Sequence, residues 1–398
     1  MIDVKSAETI VLKDLPFVKT KTLSLLASFG QILKENLRAD RDSPAADKSI
    51  VDGIAIAFSA YKKNITVFKI QAVQPAGKKA LKLNSEMECI EIMTGALLPV
   101  GCDCVIPFER ISIKNKTAVL SPDLKINRFD NIRKKGSDHR KGTLLLHKNN
   151  ILDPSSIAIA ASIGKFKLKV AEKIKIAILS TGDELVDVDH KNIKPFELRQ
   201  SNAYFLRSLF DGFSLFRSTV FHLKDNKGSM KVKIRRILKE FDVLVVSGGV
   251  SMGKFDFVPE VLKELGVKVR FHKVAQRPGK PFWFGTKGKI VVYAVPGNPL
   301  STAVCAYRYV IPALKKSLGL QLSNEFAAID EDFDTRTDLT CFVPVKIASK
   351  EDGKLVVSPI KTGGSGDLAS LAEAKGFFEF SSNTRMFKKG VVGKLFRY

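Results

Sequence analysis

Long apolar runs and export signals are absent from this sequence. No apolar run approaches the about 18 residues that a membrane-spanning helix needs. The N-terminal segment mixes acidic with apolar side chains and lacks the basic stretch and apolar core of a secretory signal. We therefore expect a cytoplasmic protein without a membrane partner.

Cysteine is scarce, with five residues in a chain of 398. This low, odd number argues against a disulfide scaffold, so we expect reduced and mostly buried thiols. Cys102 and Cys104 form the only close pair, and no second pair or nearby histidine completes a zinc site. Disulfide-rich secreted domains and structural zinc domains are thereby disfavoured.

Residues 241–256, FDVLVVSGGVSMGKFD, match neither the GxxxxGK[ST] nor the GxGxxG nucleotide-binding pattern. They instead join a β-branched apolar run to a glycine-rich loop, and an amphipathic helical segment follows. Glycines let backbone N–H groups approach an anion closely. This layout is typical of a phosphate site at the carboxyl edge of an α/β sheet, although an ordinary glycine-rich turn would look the same.

Acidic residues number 41 against 65 basic ones, which gives a net charge of +24. Such an excess suits nucleic acid, anionic lipid or a polyanionic small molecule. The basic residues are scattered, however, and no basic tail or aromatic–basic recognition stripe is present. We therefore expect no nucleic-acid partner, and we interpret most of the charge as solvated surface, with a few residues serving a site.

The hydrophobic pattern predicts a multidomain α/β plus β fold. An apolar rhythm through residues 22–33 indicates helix. Further on, alternating strands and helices indicate a three-layer α/β/α domain with a mostly parallel sheet. We predict a discontinuous helical linking domain, a β-rich inserted domain, the α/β/α domain and a barrel-like C-terminal β domain, at residues 1–45 with 142–172, 46–141, 173–320 and 321–398 respectively.

Three carboxylates follow different strands of the predicted parallel sheet. Glu184, Asp225 and Asp256 each come just after a strand, and the carboxyl ends of parallel strands share one edge. Lys273 and the loop 277–280 reach the same edge. Acids beside anion-binding loops and cations indicate a divalent metal, and Mg²⁺ suits ligation by oxygen alone. Each acid by itself would pass for a helix cap or turn residue; their joint placement favours a site.

A second polar loop, residues 39–53, holds four aspartates, a Ser-Pro pair and a terminal Asp-Gly. These are residues that favour turns. A functional loop and a solvated linker both explain them, and the pattern alone leaves the two open.

Eight short motifs, none specific alone, together carry a family resemblance. In chain order they are Arg41-Asp42-Ser43-Pro44 with Val51-Asp52-Gly53, Thr94-Gly95-Ala96 with Pro99, Gly101 and Glu109, Arg133 with Gly136 and Asp138, Ser180-Thr-Gly-Asp-Glu-Leu185, Ser201-Asn202, Ser247-Gly-Gly-Val-Ser251 with Gly253 and Asp256, Arg277-Pro-Gly-Lys-Pro281, and Pro296-Gly-Asn-Pro299. In this order and spacing, over nearly the whole chain, the sequence resembles the MoeA family of molybdopterin molybdenumtransferases, to which the gephyrin E-domain belongs.

The resemblance implies a four-domain homodimer that acts in molybdenum cofactor biosynthesis. Members insert molybdate into adenylylated molybdopterin and hydrolyse the adenylyl bond, releasing AMP and molybdenum cofactor. We therefore expect these two substrates and Mg²⁺, with the molybdopterin adenylyltransferase and molybdoenzyme apoproteins as further candidate partners. In that family the α/β domain of one subunit faces the β-rich domain of the other.

The resemblance also assigns site residues. The predicted catalytic residues are Glu184, Asp225, Asp256, Asp52 and Asp138, of which the first three are also the predicted metal ligands. The predicted substrate-binding residues are Thr94, Arg133, Thr181, Ser247, Gly248, Gly249, Ser251, Lys273, Arg277, Lys280, Pro296 and Asn298. Those that match positions supplied across the dimer are Asp52, Thr94, Arg133 and Asp138.

The sequence departs from the family pattern at three positions. Arg277 stands where lysine is usual, Ile54 where an aromatic is usual and Ser137 where an acid is common; the first keeps the charge but changes the donor geometry. Two other functions stay open. The α/β region alone resembles the adenylyltransferase of the preceding step, which does not need four domains, and a gephyrin-like scaffold would bring a long linker and a further fused domain.

Overall fold

A computed structural model of the chain describes residues 1–250 and 256–398. Contacts divide it into a larger unit, Met1–Lys34 with Asn149–Asp153 and Leu168–Tyr398, and a smaller unit, Glu35–Lys148 with Pro154–Lys167. The four-domain division stays a prediction. In the described ranges, no helix has the length and apolar character to cross a membrane.

The larger unit contains a six-stranded central sheet. Its strands, in spatial order, are Phe216–Leu223, Ile174–Thr181, Val243–Ser247, Ile290–Val295, Trp283–Lys287 and Lys268–His272. The first four are parallel to one another, and Trp283–Lys287 is antiparallel to both of its neighbours. The mostly parallel sheet is confirmed. The sequence pattern does not predict Trp283–Lys287, because its aromatic start runs directly into Gly285.

Helices cover both faces of the central sheet and make it three-layered. They are Ser201–Asp211, Lys227–Glu240, Val258–Glu264 and a last helix formed by Pro299–Cys305, the π-turn Ala306–Val310 and Ile311–Ser317. Successive strand residues point to opposite faces. Val243 and Val245 accordingly join one apolar core, and Leu244 and Val246 join another. Burial on both faces explains why the strand Val243–Ser247 is apolar at nearly every position.

The C-terminal strands close into a barrel, which we call the C-terminal barrel. In ring order they are Thr340–Ser349, Leu355–Pro359, Glu325–Ile329, Val392–Arg397 and Gly376–Phe380, and the last pairs back onto the first. The strand Gln276–Arg277 adds to this barrel by parallel pairing with Thr340 and Cys341. A pair of short strands, Phe333–Asp334 with Met386–Phe387, and the helix Ala369–Glu373 complete the region.

The N-terminal part of the chain is less helical than its sequence pattern indicates. The elements here are the helix Val4–Lys13, the strand Thr20–Ser24, the 3₁₀ turn Leu26–Ser28 and the strand Lys167–Ala171. The prediction of helix for residues 22–33 is wrong: the strand runs to Ser24, only Leu26–Ser28 is helical, as a 3₁₀ turn, and Ile32 and Leu33 form β-bridges. Two β-branched threonines, Thr20 and Thr22, favour extended backbone there, and alternate strand positions are exposed.

The smaller unit is built on a mixed six-stranded sheet. Its strands, in spatial order, are Cys104–Pro107, Gly53–Ile56, Glu88–Ile92, Val67–Gln74, Thr117–Leu120 and Ile111–Lys114. Short antiparallel pairs join Lys48–Ser49 to Ile132–Arg133, and Leu37–Arg38 to Leu144–Leu146. The helical elements are Phe58–Lys62, Phe108–Arg110 and Pro154–Ser162.

A buried guanidinium joins three segments of the larger unit. Arg308, in the π-turn, is 3% exposed and pairs with Glu8 of the N-terminal helix at 2.8 Å and with Glu379 of the C-terminal barrel at 3.1 Å. The hydrogen bond from Arg308 lowers the pKa of Glu8. Removing the cation would leave two partly buried carboxylates without it, which is costly.

Arg308→Leu should therefore destabilise the protein by about 3–5 kcal/mol, measured from the urea unfolding midpoint. Arg397→Leu is the matched control, because its pair with Glu325 is 47% and 40% exposed and such pairs contribute about 1 kcal/mol or less. Equal destabilisation by the two substitutions would contradict the role given to Arg308.

Candidate functional site

A cavity of about 1730 Å³ opens at the carboxyl edge of the central sheet. We call it the main cavity. Its lining comes from the ends of the four parallel strands, from the loop 277–280 and from the C-terminal barrel, all within the larger unit. The predicted site residues that line it are Thr181, Glu184, Asp225, Ser247, Gly248, Gly249, Asp256, Arg277, Lys280, Pro296 and Asn298. Lys273 is not among them, and Ser251 lies outside the described residues.

Two glycines let neighbouring strand ends approach each other in this cavity. Gly248 and Gly249 have φ of +97° and +67°. A Cβ on Gly248 would lie 2.6 Å from the carbonyl oxygen of Thr181. A Cβ on Gly249 would lie 2.9 Å from the hydroxyl oxygen of Thr181. Only glycine tolerates both the conformation and the contact. The backbone of the glycine-rich loop is thus held against the end of the adjacent strand.

Two asparagines tie the loops around the cavity together. Asn202 Nδ2 donates to Ser247 Oγ at 3.0 Å and to the carbonyl of Gly297 at 2.6 Å. Asn298 occupies the expected N-cap position of the last helix, but its amide donates to Ser365 Oγ at 2.8 Å instead of capping it. Asn202 is predicted only as part of a motif, and Ser365 is not predicted, since its one signal is its glycine-rich surroundings.

Four acids come together at one side of the site; we call Asp183, Glu184, Asp225 and Asp256 the acid cluster. The backbone N–H of Asp225 donates to Asp183 Oδ1 at 3.1 Å. Burial first, and then the charges of the other three acids, raise the pKa of Asp225. The sheet therefore brings together the three predicted acids and adds Asp183, which the sequence analysis does not single out.

Several buried polar atoms of the cavity lining lack a hydrogen-bond partner among the described residues. They are Ser180 Oγ, Thr181 Oγ1, Gln200 Oε1 and Asp225 Oδ1. Leaving such an atom unsatisfied costs about 1–3 kcal/mol. Their grouping in one cavity indicates a surface that binds a polar ligand. Ser180 and Gln200 are additions to the predicted set.

The acid cluster fits Mg²⁺ in charge but does not form a closed metal cage. Within residues 1–250 and 256–398, no three His, Cys, Asp or Glu side chains are grouped closely enough to hold a metal alone. Mg²⁺ commonly uses one or two carboxylates and takes its remaining ligands from water and substrate phosphates. The unpartnered Asp225 Oδ1 and the repulsion among the acids match that mode of binding.

Two cations line the same cavity from the loop 277–280. Arg277 and Lys280 are both exposed, and two residues separate them. Lys273 ends the neighbouring strand with φ of +73° and is half-buried outside the lining. The main cavity thus combines carboxylates suited to a metal with cations suited to an oxyanion.

The smaller unit has a cavity of its own, of about 620 Å³. Thr94, Arg133 and Asp138 line it; Arg133 donates to Asp138 Oδ1 through Nε at 2.9 Å and Nη2 at 2.6 Å. Asp52 does not line it but accepts from Thr94 N–H at 2.6 Å and from its hydroxyl at 2.8 Å. These contacts lower the pKa of Asp52 and of Asp138.

Residues of the loop 39–53 also line this cavity; they are Arg41, Asp42, Ser43, Pro44, Ala45, Ala46, Lys48, Ser49 and Ile50. Ser43 Oγ donates to Asp138 Oδ2 at 3.2 Å. The position of this loop favours the functional interpretation over a solvated linker.

Comparisons with protein families match three consecutive parts of the chain. The MoeA N-terminal region, domain I and II, matches residues 2–164. The probable molybdopterin binding domain matches residues 177–316, and the MoeA C-terminal region, domain IV, matches residues 327–392. Together they span most of the sequence.

Two relatives and two solved structures match over nearly their full lengths. A protein from Synechocystis sp. named molybdopterin molybdenumtransferase is 35% identical over 393 residues, 98% of either chain. One of the same name from Staphylococcus epidermidis is 30% identical over 98% of this chain and 94% of its own. Two crystal structures of a molybdopterin biosynthesis MoeA protein from Pyrococcus horikoshii match 100% of this chain. One is 26% identical, is covered over 99% of its own chain and has a TM-score of 0.85. The other is 25% identical, is covered over 100% of its own chain and has a TM-score of 0.82.

Repulsion within the acid cluster should make the site a source of instability. Asp225→Asn is expected to stabilise the protein against thermal unfolding by roughly 0.5 kcal/mol in metal-free buffer at neutral pH, because it removes one of four neighbouring charges; the figure allows for screening by solvent.

Asp187→Asn provides a control of opposite sign. Asp187 accepts from the Val188 N–H and the Tyr204 hydroxyl, both at 2.8 Å, and these bonds lower its pKa. That variant should be less stable than the wild type. A destabilised Asp225→Asn protein would contradict the repulsion argument.

Proposed function

Because the chain belongs to the MoeA family of molybdopterin molybdenumtransferases, we propose that it inserts molybdate into adenylylated molybdopterin and hydrolyses the adenylyl bond. The products are AMP and molybdenum cofactor. A transferase role in molybdenum cofactor biosynthesis follows from the family; the chemical steps and the residues that perform them are the proposal. The relatives cover the whole chain and carry the transferase name, which favours this activity over adenylyl transfer or scaffolding.

One observation carries the proposal: three acids of the cluster, Glu184, Asp225 and Asp256, and two cations line the same cavity as Gly248 and Gly249. An adenylylated pterin is a polyanion, and molybdate is a second anion. Fixed cations and N–H donors stabilise such groups, and more so as charge develops during bond cleavage. Arg277 and Lys280 supply the cations. The backbone at Gly248 and Gly249 is placed to approach a phosphate.

Glu184, Asp225 and Asp256 are the residues that would hold Mg²⁺. When bound, this ion offsets phosphate charge at the P–O bond that breaks. A carboxylate of the cluster would also orient a water molecule and take its proton as the water oxygen attacks the adenylyl phosphorus. The P–O bond to the pterin phosphate breaks, which releases AMP and leaves the phosphate on the pterin. Thr181, Ser247 and Asn298, with their neighbour Pro296, contribute polar contacts and shape to the substrate surface.

Two predicted substrate-binding residues have less support. Lys273 does not line the main cavity, and Ser251 lies outside the described residues, so their assignments rest on the resemblance alone. We also place the protein in the cytoplasm, since all five cysteines are free and buried as in a reducing compartment. The adenylyltransferase and molybdoenzyme apoproteins remain candidate partners by the same resemblance.

We further propose a homodimer in which Asp52, Thr94, Arg133 and Asp138 of one subunit complete the site of the other. The cavity of the smaller unit supports this, because Thr94, Arg133 and Asp138 line it and Asp52 is hydrogen-bonded to Thr94 at its edge. A polyanionic substrate bound in the main cavity would gain hydrogen-bond donors from Thr94 and Arg133 of that surface.

Asp256→Asn should reduce molybdate-dependent AMP release from adenylylated molybdopterin by about 100-fold or more, because it removes a charge that would hold the metal. Asp352→Asn is the control, as Asp352 lies in an exposed turn and bonds only locally to Lys354. Light scattering should show the same oligomer for both variants. Wild-type turnover by Asp256→Asn would refute the role of Asp256.

Mixed dimers test the shared site. Asp52→Ala and Asp256→Asn subunits, each inactive alone, should recover part of the activity when combined, since one site of each heterodimer keeps both aspartates. Differently tagged subunits purified in tandem provide verified heterodimers for the assay. If these remain inactive, the two aspartates act within one chain.

A further inference from the structure

A buried hydrogen-bond network lies beneath the loop 277–280. Among the described residues that line the main cavity, only Gln276 and the loop itself take part in it. Gln276 is fully buried and belongs to the short strand that joins the C-terminal barrel. Its side chain contacts both the loop and the last helix. The network therefore links the loop that carries Arg277 and Lys280 to the interior of the larger unit.

The Gln276 amide group holds the turn between the two cations. Its Nε2 lies 3.2 Å from the carbonyl oxygen of Pro278 and 3.4 Å from that of Gly279. These are the two residues between Arg277 and Lys280 in the chain. With both carbonyls turned toward the buried amide, the path of the loop is fixed, and the two cationic residues reach the cavity lining on either side of the turn.

Tyr309 fixes Gln276 in turn. Its hydroxyl donates to Gln276 Oε1 at 2.5 Å, and the residue is 1% exposed. Burial raises the pKa of Tyr309 well above its usual range, so the hydroxyl keeps its proton. Its ring stacks on Phe282 with centroids 5.0 Å apart. The preceding residue, Arg308, is held by its two ion pairs. The Tyr309 hydroxyl is therefore positioned both by the stacked ring and by the fixed backbone of its neighbour.

Gly279 shows how closely the loop is packed on this network. Its φ is +92°, and a Cβ there would lie 2.6 Å from Gln276 Nε2 and 3.0 Å from Cys305 Sγ. No side chain fits between the turn and the buried amide. The contact is therefore part of the loop's shape and not a chance approach of two mobile groups.

We infer that Gln276 and Tyr309 are positioning residues that hold Arg277 and Lys280 in the geometry that binds the substrate's oxyanions. The inference rests on the proposed function and adds to it a buried pair of which Tyr309 lies outside the cavity lining. Preorganised cations bind an anion without paying for their own ordering, and small displacements of a binding group weaken binding strongly.

Tyr309→Phe tests the inference because it removes one hydroxyl and keeps the stacked ring. We expect about tenfold weaker binding of AMP or molybdate by calorimetry, about tenfold higher KM for adenylylated molybdopterin and kcat within about twofold of wild type. Tyr293→Phe is the matched control: Tyr293 is fully buried in the same core, and its hydroxyl has no partner among the described residues. Its binding and kinetics should not change.

The double variant Tyr309→Phe/Gln276→Met separates positioning from general stability. Gln276→Met removes the oxygen that Tyr309→Phe leaves unsatisfied. The freed carbonyls of Pro278 and Gly279 can turn toward water in the main cavity, which both residues line, so the thermal midpoint should recover toward the wild-type value. Binding of AMP or molybdate should stay at least about tenfold weaker, because the carbonyls of the turn have lost their donor. Recovery of both stability and affinity would show a merely structural role and overturn the inference.

The remaining outcomes distinguish the inference from the proposed function. If wild-type protein binds AMP or molybdate and Tyr309→Phe binds it equally well, the inference is wrong and the function stands. If wild-type protein binds neither anion and releases no AMP, the proposed function fails and the inference fails with it.

Discussion

Parallel pairing of four strands is the constraint on which the rest of the site depends. Ile174–Thr181 pairs with Phe216–Leu223 on one side and Val243–Ser247 on the other, all in one direction. Every side chain that follows these strands therefore reaches one edge. This is why the charges of Glu184 and Asp256, far apart in sequence from Asp225, contribute to raising its pKa. The repulsion is a direct consequence of the topology and not of local sequence.

The cations that balance this charge come from elsewhere in the fold. Arg277 and Lys280 stand on a loop that leaves the edge strand Lys268–His272 and runs along the C-terminal barrel before the antiparallel strand begins. Their placement therefore depends on barrel pairing and on the buried Gln276 network. The acids are set by strand ends, and the cations are set by interior packing, so the two halves of the site depend on separate parts of the larger unit.

Sequence patterns predict the position of the acids well and the contacts that hold the cations poorly. An apolar run ending in Ser-Gly-Gly, or an acid just past a strand, carries its position in its local sequence. The α/β layers and the part of the cavity lining at the strand ends could therefore be anticipated, but the part from the C-terminal barrel region could not. Contacts between distant residues carry no such signal. Gln276 meets Tyr309 across 33 residues, and Asn298 meets Ser365 across 67. The strand at Trp283 and the extended backbone at Thr20 escape prediction because tertiary pairing decides them.

A site of this kind costs stability, and the fold must offset it. Four neighbouring acids and several unpartnered buried polar atoms are each unfavourable in the free protein. The apolar cores oppose this cost, and so do the buried Arg308 pairs, which lie outside the cavity lining. Arg308 and Tyr309 are consecutive in the π-turn, so the ion pairs that brace the larger unit also fix the donor for Gln276. Because Arg308 and Tyr309 lie outside the cavity lining, their contacts can be strong while the lining keeps its unpaired polar groups for a charged ligand.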